Sequence, residues 1–301
     1  MPVCNPSGVN QRTHYFSTGR FNEYDGKDWN RIFWDYEEDG ADPIGFAHTH
    51  LNADPDLIQQ QYRQQMQSSF AKLQESIQTP CYVPFSEHYR FQLQSLCLDA
   101  DYVIDLHTSS NEGIDYLYYF RDREESARLF QLPVGILLDQ YDGDAFDEAF
   151  IKPWLALEDC FAQLGRQIRF DVEAWTLELG SAMALNPESI SNGMQGIQNY
   201  LRHKQVIDSV EPLPGALLER EMRLSTRSTV KKYYAPAGGF IQSRAELGTI
   251  VEAGQCLYQL LSFNNEQLPT LIDVQAEQGG LIFDRSINHA VNQGEYVLGV
   301  L

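Results

Sequence analysis

The feature that most constrains this chain is a pair of similar stretches near its C-terminus. Gly238-Gly-Phe-Ile241 recurs as Gly279-Gly-Leu-Ile282, and Val251-Glu-Ala-Gly254 recurs as Val291-Asn-Gln-Gly294, at offsets of 41 and 40 residues. Short β-favouring runs set off by glycines read as strands and tight turns. A repeat of this kind predicts two similar half-barrels packed face to face. The chain ahead of it has a different texture. Up to about residue 210 helical and strand periods are mixed, as in an α/β layer protein. Tyr62, Met66, Phe70, Leu73 and Ile77 form one apolar stripe and predict an amphipathic helix over 59–77. Further helices are expected at 90–98 and 189–203, with buried strands at 102–107 and 170–179. Ser209-Val-Glu-Pro-Leu-Pro-Gly215 breaks the pattern. The expected division is therefore a domain at 1–210, a linker at 211–232 and an all-β domain at 233–301.

With Ala235-Pro-Ala-Gly-Gly239 and Gly248-Thr-Ile-Val-Glu-Ala-Gly-Gln255, the tail resembles the barrel-sandwich fold of biotinyl and lipoyl domains. Those carriers attach their group to a lysine at a hairpin tip, and this sequence has no lysine after Lys232. A swinging arm is excluded; a lid, a packing partner or an oligomer contact, hence a homo-oligomer, remains. Lys and Arg number 22 against 42 Asp and Glu, a net charge of -20, which repels nucleic acid and anionic membrane surfaces. A small anionic substrate is still compatible with that charge, provided a few arginines dominate a local pocket. The five cysteines (Cys4, Cys81, Cys97, Cys160 and Cys256) are odd in number, scattered and without a CxxC pair, so they read as reduced and mostly buried thiols. No apolar run is long enough to span a bilayer and the N-terminus has no basic flank, which makes the cytoplasm the default compartment.

Three stretches carry residue types suited to chemistry. In Asp105-Leu-His107 the side chains at i and i+2 share a strand face, with His107 at the carboxyl end, where open α/β sheets bind ligands. His107 is thus a metal-ligand candidate; Asp105 either orients it or caps neighbouring backbone, and a hydrogen-bonded core histidine is the plain alternative. In Trp175-Thr-Leu-Glu-Leu-Gly180 alternation sets Thr176, Glu178 and Gly180 opposite Trp175, Leu177 and Leu179. A carboxylate in so apolar a strand costs free energy unless it is paired or has a task, so Glu178 is a general-base candidate, against a strand-edge glutamate facing water. In Gly19-Arg-Phe21 and Asp28-Trp-Asn-Arg31, Arg31 and Asn30 are suited to gripping a carboxylate and Arg20 to polarising a carbonyl. An ordinary surface loop is the alternative there. His48-Thr-His50, with Asp54 nearby, would put two imidazoles on one face if it were a strand, and is a further metal candidate, against a solvated loop.

Taken in order, Asn5-Pro6, Asp28-Trp-Asn-Arg-Ile-Phe33, Ala100-Asp-Tyr-Val-Ile-Asp-Leu-His-Thr108 and Thr176-Leu-Glu-Leu-Gly180 resemble the succinylglutamate desuccinylase/aspartoacylase family of zinc-carboxypeptidase-like hydrolases. The resemblance runs from residue 1 to about 205, and the C-terminal barrel is similar to one that some members carry. It implies a mixed sheet with flanking helices, and a zinc-dependent hydrolase acting on the amide bond of an N-acyl amino acid or a similar carboxylate-bearing amide. It assigns His107 as third zinc ligand, Glu178 as the base, Arg20 as carbonyl polariser, and Asn30 and Arg31 as substrate-carboxylate ligands. Trp29 stands where the motif usually has leucine. The family's His-x-x-Glu motif, which supplies the first two zinc ligands, is found nowhere in these 301 residues. The expectation is a chain that lacks the segment bearing it. The competing class is a carboxylate-binding protein or pseudoenzyme that keeps the arginines without the metal.

Overall fold

The structure is a computed structural model that describes residues 3–5, 8, 19–37, 39–78, 83–141, 143–181, 184–208, 221–263 and 268–301. Pro6, Cys81 and the stretch 209–220 lie outside them. The chain divides into two compact units, residues 1–105 with 141–175, and residues 106–140 with 176–301.

The first unit is helical. Asp42 caps α1 (Pro43–Thr49) by accepting from Gly45 N–H, with proline at the first turn. α2 (Pro55–Gln78) begins just after Asp54, whose carboxylate accepts from Asp56 N–H at 3.0 Å. Of its predicted apolar stripe Tyr62, Met66, Phe70 and Ile77 are buried and Leu73 is half-buried, and Ile58 extends the buried line one turn toward the N-terminus. Tyr62 is central: its ring meets Tyr36, Phe46 and Trp154 at centroid distances of 5.7, 5.0 and 5.5 Å. α3 spans Phe85–Ser95, five residues earlier than its expected start at 90. The 18-residue α5 (Phe146–Gln163) supplies Trp154, after a short α4 (Glu124–Arg128) that belongs to the second unit. Asp35, buried, is ion-paired with Lys152 of α5. No helix among the described residues is long and apolar enough to cross a membrane.

The second unit holds the β domain and most of a mixed sheet. The sheet takes β1 (Tyr102–Ser109), β3 (Tyr116–Tyr119), β4 (Val134–Leu137), β5 (Glu173–Ser181) and β6 (Arg223–Thr226) in the order β1-β5-β3-β4-β6. Of these, β1 and β5 begin with residues counted in the first unit. β3 runs parallel to β4 and antiparallel to β5, and β4 parallel to β6. β6 lies inside the stretch expected as linker, where Val134–Leu137 pair with Arg223–Thr226 residue for residue. Helix α6 (Pro187–His203) follows β5, capped by Asn186.

In the β domain the repeat becomes a two-fold exchange. β8 (Gly239–Gln242), β9 (Ile250–Val251) and β10 (Cys256–Ser262) correspond to β12 (Gly280–Arg285), β13 (Ala290–Val291) and β14 (Tyr296–Val300). Each middle strand pairs with the first strand of the other half: Ile250 with Leu281, and Ala290 with Phe240. The loop bonds match as well, Ile241 N–H donating to His289 C=O at 2.7 Å and Ile282 N–H to Thr249 C=O at 2.9 Å. Close backbone approach explains the first residue of β8 and of β12: a Cβ on Gly239 would stand 2.2 Å from the Leu261 carbonyl oxygen, and one on Gly280 2.2 Å from that of Leu301. β7 (Lys231–Tyr234) and β11 (Thr270–Gln275) complete two sheets around Leu257, Tyr258, Leu260, Ile282, Val297, Leu298 and Val300.

One strand pairing was not legible in the sequence. β2, only Glu112–Gly113, leaves the loop after β1 and pairs with Arg285 and Asp284 of β12. The β domain thus takes an edge strand from the segment that follows His107.

Candidate active site

Arg20, Asn30 and Arg31 are brought together by a hairpin in the first unit. A bridge joins Phe21 to Asp28, Asn22 N–H donates to Lys27 C=O at 2.8 Å, and Trp29 N–H donates to Arg20 C=O at 3.1 Å. Gly26, at φ 70°, supplies the left-handed turn. Trp29, which replaces the usual leucine, is buried against Tyr89, ring centroids 5.2 Å apart, and so packs the hairpin base. Asn30 is fixed by two bonds: its N–H donates to Asp28 Oδ1 at 2.9 Å, and its Oδ1 accepts from Phe146 N–H at 2.9 Å. Arg31 is exposed, with Nη1 bonded to the Asn30 carbonyl. Arg20 Nε donates to Asp28 Oδ2 at 2.8 Å, so a carboxylate already offsets part of its charge.

His107 and Glu178 stand on neighbouring strands of the second unit. Glu173 N–H donates to Asp101 C=O at 3.0 Å, so β1 and β5 begin together and run the same way. In a parallel pairing of that register Tyr102 stands beside Glu173 and, five residues on, His107 beside Glu178. Across the other edge of β5, Glu178 faces Tyr116 in the antiparallel register. His107, Glu178 and Tyr116 therefore share one face of the sheet. His107 and Glu178 are half-buried, and the Glu178 atom Oε2 is buried. The strand-edge reading of Glu178 is excluded, since β5 lies between β1 and β3.

Two tyrosines that the sequence reading passed over join this face. Tyr116 and Tyr118 are two residues apart on β3 and meet edge to face at 5.4 Å. Burial pushes the Tyr116 phenol well above its ordinary range, and the neighbouring Tyr118, Glu178 and Asp284 add to it. Burial and the Glu178 carboxylate raise Tyr118 as well, opposed by a hydrogen bond from Tyr116 and by the Arg227 guanidinium. Both stay neutral donors beside Glu178. The signal available in sequence was the run Tyr116-Leu-Tyr-Tyr119, whose alternation places two phenols on the face of the acid.

The surroundings of Asp105 lie in the first unit. Burial raises the Cys4 and Cys97 thiols and pushes Tyr89 up to about 12, with the Asp105 carboxylate contributing to each. Cys4 and Cys256 are exposed and Cys97 half-buried, so of the four described cysteines only Cys160 is buried, contrary to the sequence expectation; all four are free thiols.

The His48/His50 pair is corrected by the structure. His48 lies on α1 and His50 at its C-cap, not on a strand, and two residues along a helix turn about 200°, which points the rings apart. His50 is stacked on Phe46 at 4.0 Å and its Nδ1 is bonded to the Phe46 carbonyl at 2.8 Å. Among the described residues no group of three or more His, Cys, Asp or Glu side chains could hold a metal ion.

No family model and no curated protein matches the chain. Solved structures do. A succinylglutamate desuccinylase/aspartoacylase family protein from Shewanella amazonensis is 27% identical, with a TM-score of 0.83, covering 99% of this chain and 79% of that one. A succinylglutamate desuccinylase/aspartoacylase from Shewanella frigidimarina is 26% identical, TM-score 0.84, covering 99% and 77%. One from Rhodobacter sphaeroides, 19% identical with a TM-score of 0.58 over 93% and 69%, shares the fold.

Proposed function

This chain belongs to the succinylglutamate desuccinylase/aspartoacylase family of hydrolases, and on that premise we propose that it cleaves the amide bond of an N-acyl amino acid or a similar carboxylate-bearing amide. The observation that carries the reading is the half-buried Glu178 beside His107 on one sheet face, flanked by neutral phenols. Partial withdrawal from water suits a carboxylate to general-base work. Glu178 takes a proton from the attacking water and returns it to the departing amine nitrogen; the water oxygen bonds to the acyl carbon as the C–N bond breaks. Tyr116 and Tyr118 donate hydrogen bonds on that face and do not compete for the proton. The family resemblance assigns the substrate carboxylate to Asn30 and Arg31 and the polarising of the carbonyl to Arg20, which is paired with Asp28.

Zinc is the cofactor that the family resemblance implies, with His107 as one ligand. A hydrolytic zinc takes three protein ligands, and the described residues do not fit a complete centre of that kind. The assay therefore reads metal and chemistry separately. The 301-residue protein, purified in zinc, is incubated with N-acetyl and N-succinyl amino acids while amine release and bound zinc are measured. Glu178→Gln should keep the metal content of the parent and lose about 10² to 10⁴ of kcat. A Glu178→Gln protein as active as the parent removes Glu178 from the reaction.

The lack of a three-ligand group among the described residues favours a second reading, a carboxylate-binding protein without catalysis. Calorimetric binding of N-acyl amino acids to zinc-free protein that hydrolyses none of them, with or without added zinc, would establish it over the first.

A further inference from the structure

We propose that Asp284, in β12 of the C-terminal β domain, is a positioning residue for the His107–Glu178 face, holding the loop that joins His107 to Tyr116 against the domain. The proposal rests on the reading of that face as the reactive site. Both ends of this loop are residues of the face, so its path sets where they sit. Past the end of β1 at Ser109 it has one turn, in which Asn111 N–H donates to Ser109 Oγ at 3.1 Å, the two-residue β2, and at its far end Asp115, whose Oδ2 accepts from Asn192 Nδ2 of α6 at 2.8 Å.

One buried carboxylate gathers the side chains of its first half. Asp284 is 6% exposed; its Oδ2 accepts from Ser109 Oγ at 2.7 Å and its Oδ1 from Asn111 Nδ2 at 3.0 Å. The domain's own Tyr296 donates its hydroxyl to Oδ1 at 2.7 Å. A carboxylate this far from water needs such donors, and two of the three come from the loop. The backbone repeats the connection, Gly113 pairing with Asp284, Glu112 with Arg285, and Ile114 N–H donating to Phe283 C=O at 3.0 Å. Arg285 Nε also meets Glu112 Oε2 at 2.6 Å. The Asp284 charge reaches the face itself, raising both Tyr116 and Tyr118. The β domain, which has no lysine after Lys232 to carry a prosthetic group, is through these contacts a support of the His107–Glu178 face.

The test separates a clamp from ordinary stabilisation by comparing bonds to one acceptor. Ser109→Ala/Asn111→Ala removes the two donors on the loop, Tyr296→Phe the donor on the domain, and Asp284→Asn disturbs all three. Amide hydrogen exchange is read over 108–115 beside melting temperature, kcat and KM. The loop double variant and Asp284→Asn should speed exchange over 108–115 by about tenfold or more and lower kcat, with KM within about twofold. Tyr296→Phe should lower the melting temperature while leaving loop exchange and kcat near parental values. Asp284→Glu, which restores the charge, should recover part of the protection. Equal exchange over 108–115 in the parent and the double variant overturns the proposal, as does faster exchange with unchanged kcat. If the parent cleaves no N-acyl amino acid, the hydrolase reading fails, and the exchange comparison still decides whether Asp284 holds the loop.

Discussion

Replacing Gly280 by alanine tests the two-fold exchange at its tightest point. The new Cβ would stand 2.2 Å from the Leu301 carbonyl oxygen, about 1 Å inside an ordinary carbon–oxygen contact of roughly 3.3 Å. The Leu301 carbonyl is not free to retreat, because Leu281 N–H donates to it at 2.8 Å and Leu301 N–H donates back to Leu281 C=O at 2.9 Å. Relief must break one or both of these bonds, at about 1 kcal/mol each, on top of about 1 to 3 kcal/mol for overpacking. The expected loss is roughly 2 to 5 kcal/mol. The pseudo-symmetric Gly239→Ala, at the same distance from the Leu261 carbonyl oxygen, should cost a similar amount. Gly254→Ala is the control: its φ of 82° strains an alanine, but nothing crowds its Cβ, so the loss should be near 1 kcal/mol. Urea unfolding followed by two probes locates the damage. All four tryptophans, Trp29, Trp34, Trp154 and Trp175, lie in the first unit, so a near-ultraviolet tyrosine transition that the tryptophans do not share reports the second unit, where Tyr233, Tyr234, Tyr258 and Tyr296 belong to the β domain. Gly280→Ala within about 0.5 kcal/mol of the parent by the tyrosine signal would refute the close approach, and with it the matched halves.

Arg31→Ala should raise KM for carboxylate-bearing amides by about 10- to 150-fold, the equivalent of the 1.5 to 3 kcal/mol typical of a charged hydrogen bond, with kcat little changed; an unchanged KM would mean the carboxylate is held elsewhere. Tyr89 and Tyr258 are each pushed up to about 12 by burial, so the unfolded chain gives up these protons first, near pH 10, and stability that is whole below pH 10 should drain away as pH rises toward 12. A urea midpoint that stays flat from pH 9 to 11.5 would contradict that sign. Co-expression with biotin and lipoate ligases should leave the intact mass unchanged, since no lysine follows Lys232.

How much of this could be read in the sequence depends on the range of the interactions involved. The α2 stripe was legible because 3.6-residue periodicity is local, and only its start was placed late, the Asp54-Pro55 cap having been passed over. The half-barrels were legible because symmetry writes the same contact twice. His48-Thr-His50 misled because i,i+2 spacing has meaning only once the element is known, and Asp42-Pro43, a cap followed by a proline at the first helical position, had already fixed a helix. The His107 and Glu178 pair was half legible: each strand announced itself, but their adjacency needed the sheet order. β2 and the Asp284 contacts were invisible, since the partners lie 173 to 175 residues apart along the chain.

The alternation expected in β5 was also not what burial shows, and the reason bears on the β domain. Glu173 to Leu177 are buried without a break, as befits a central strand covered on both faces. On the face that carries Glu178, the cover over Tyr116, Val134 and Ile136 is Phe283 and the terminal Leu301, with Leu281 and Val230 packed at the margin. Fully burying a side chain of this size contributes about 1.5 to 3 kcal/mol, so the five residues of the cluster together outweigh the net stability of many domains. Cutting the chain ahead of β7 would expose that apolar surface, unpair β2 and strand the Ser109 hydroxyl at once. A truncated protein would then report the collapse of the sheet face and say nothing about catalysis. Single substitutions at the junction, which leave the hydrophobic cover in place, are the way to learn what the β domain does for the site.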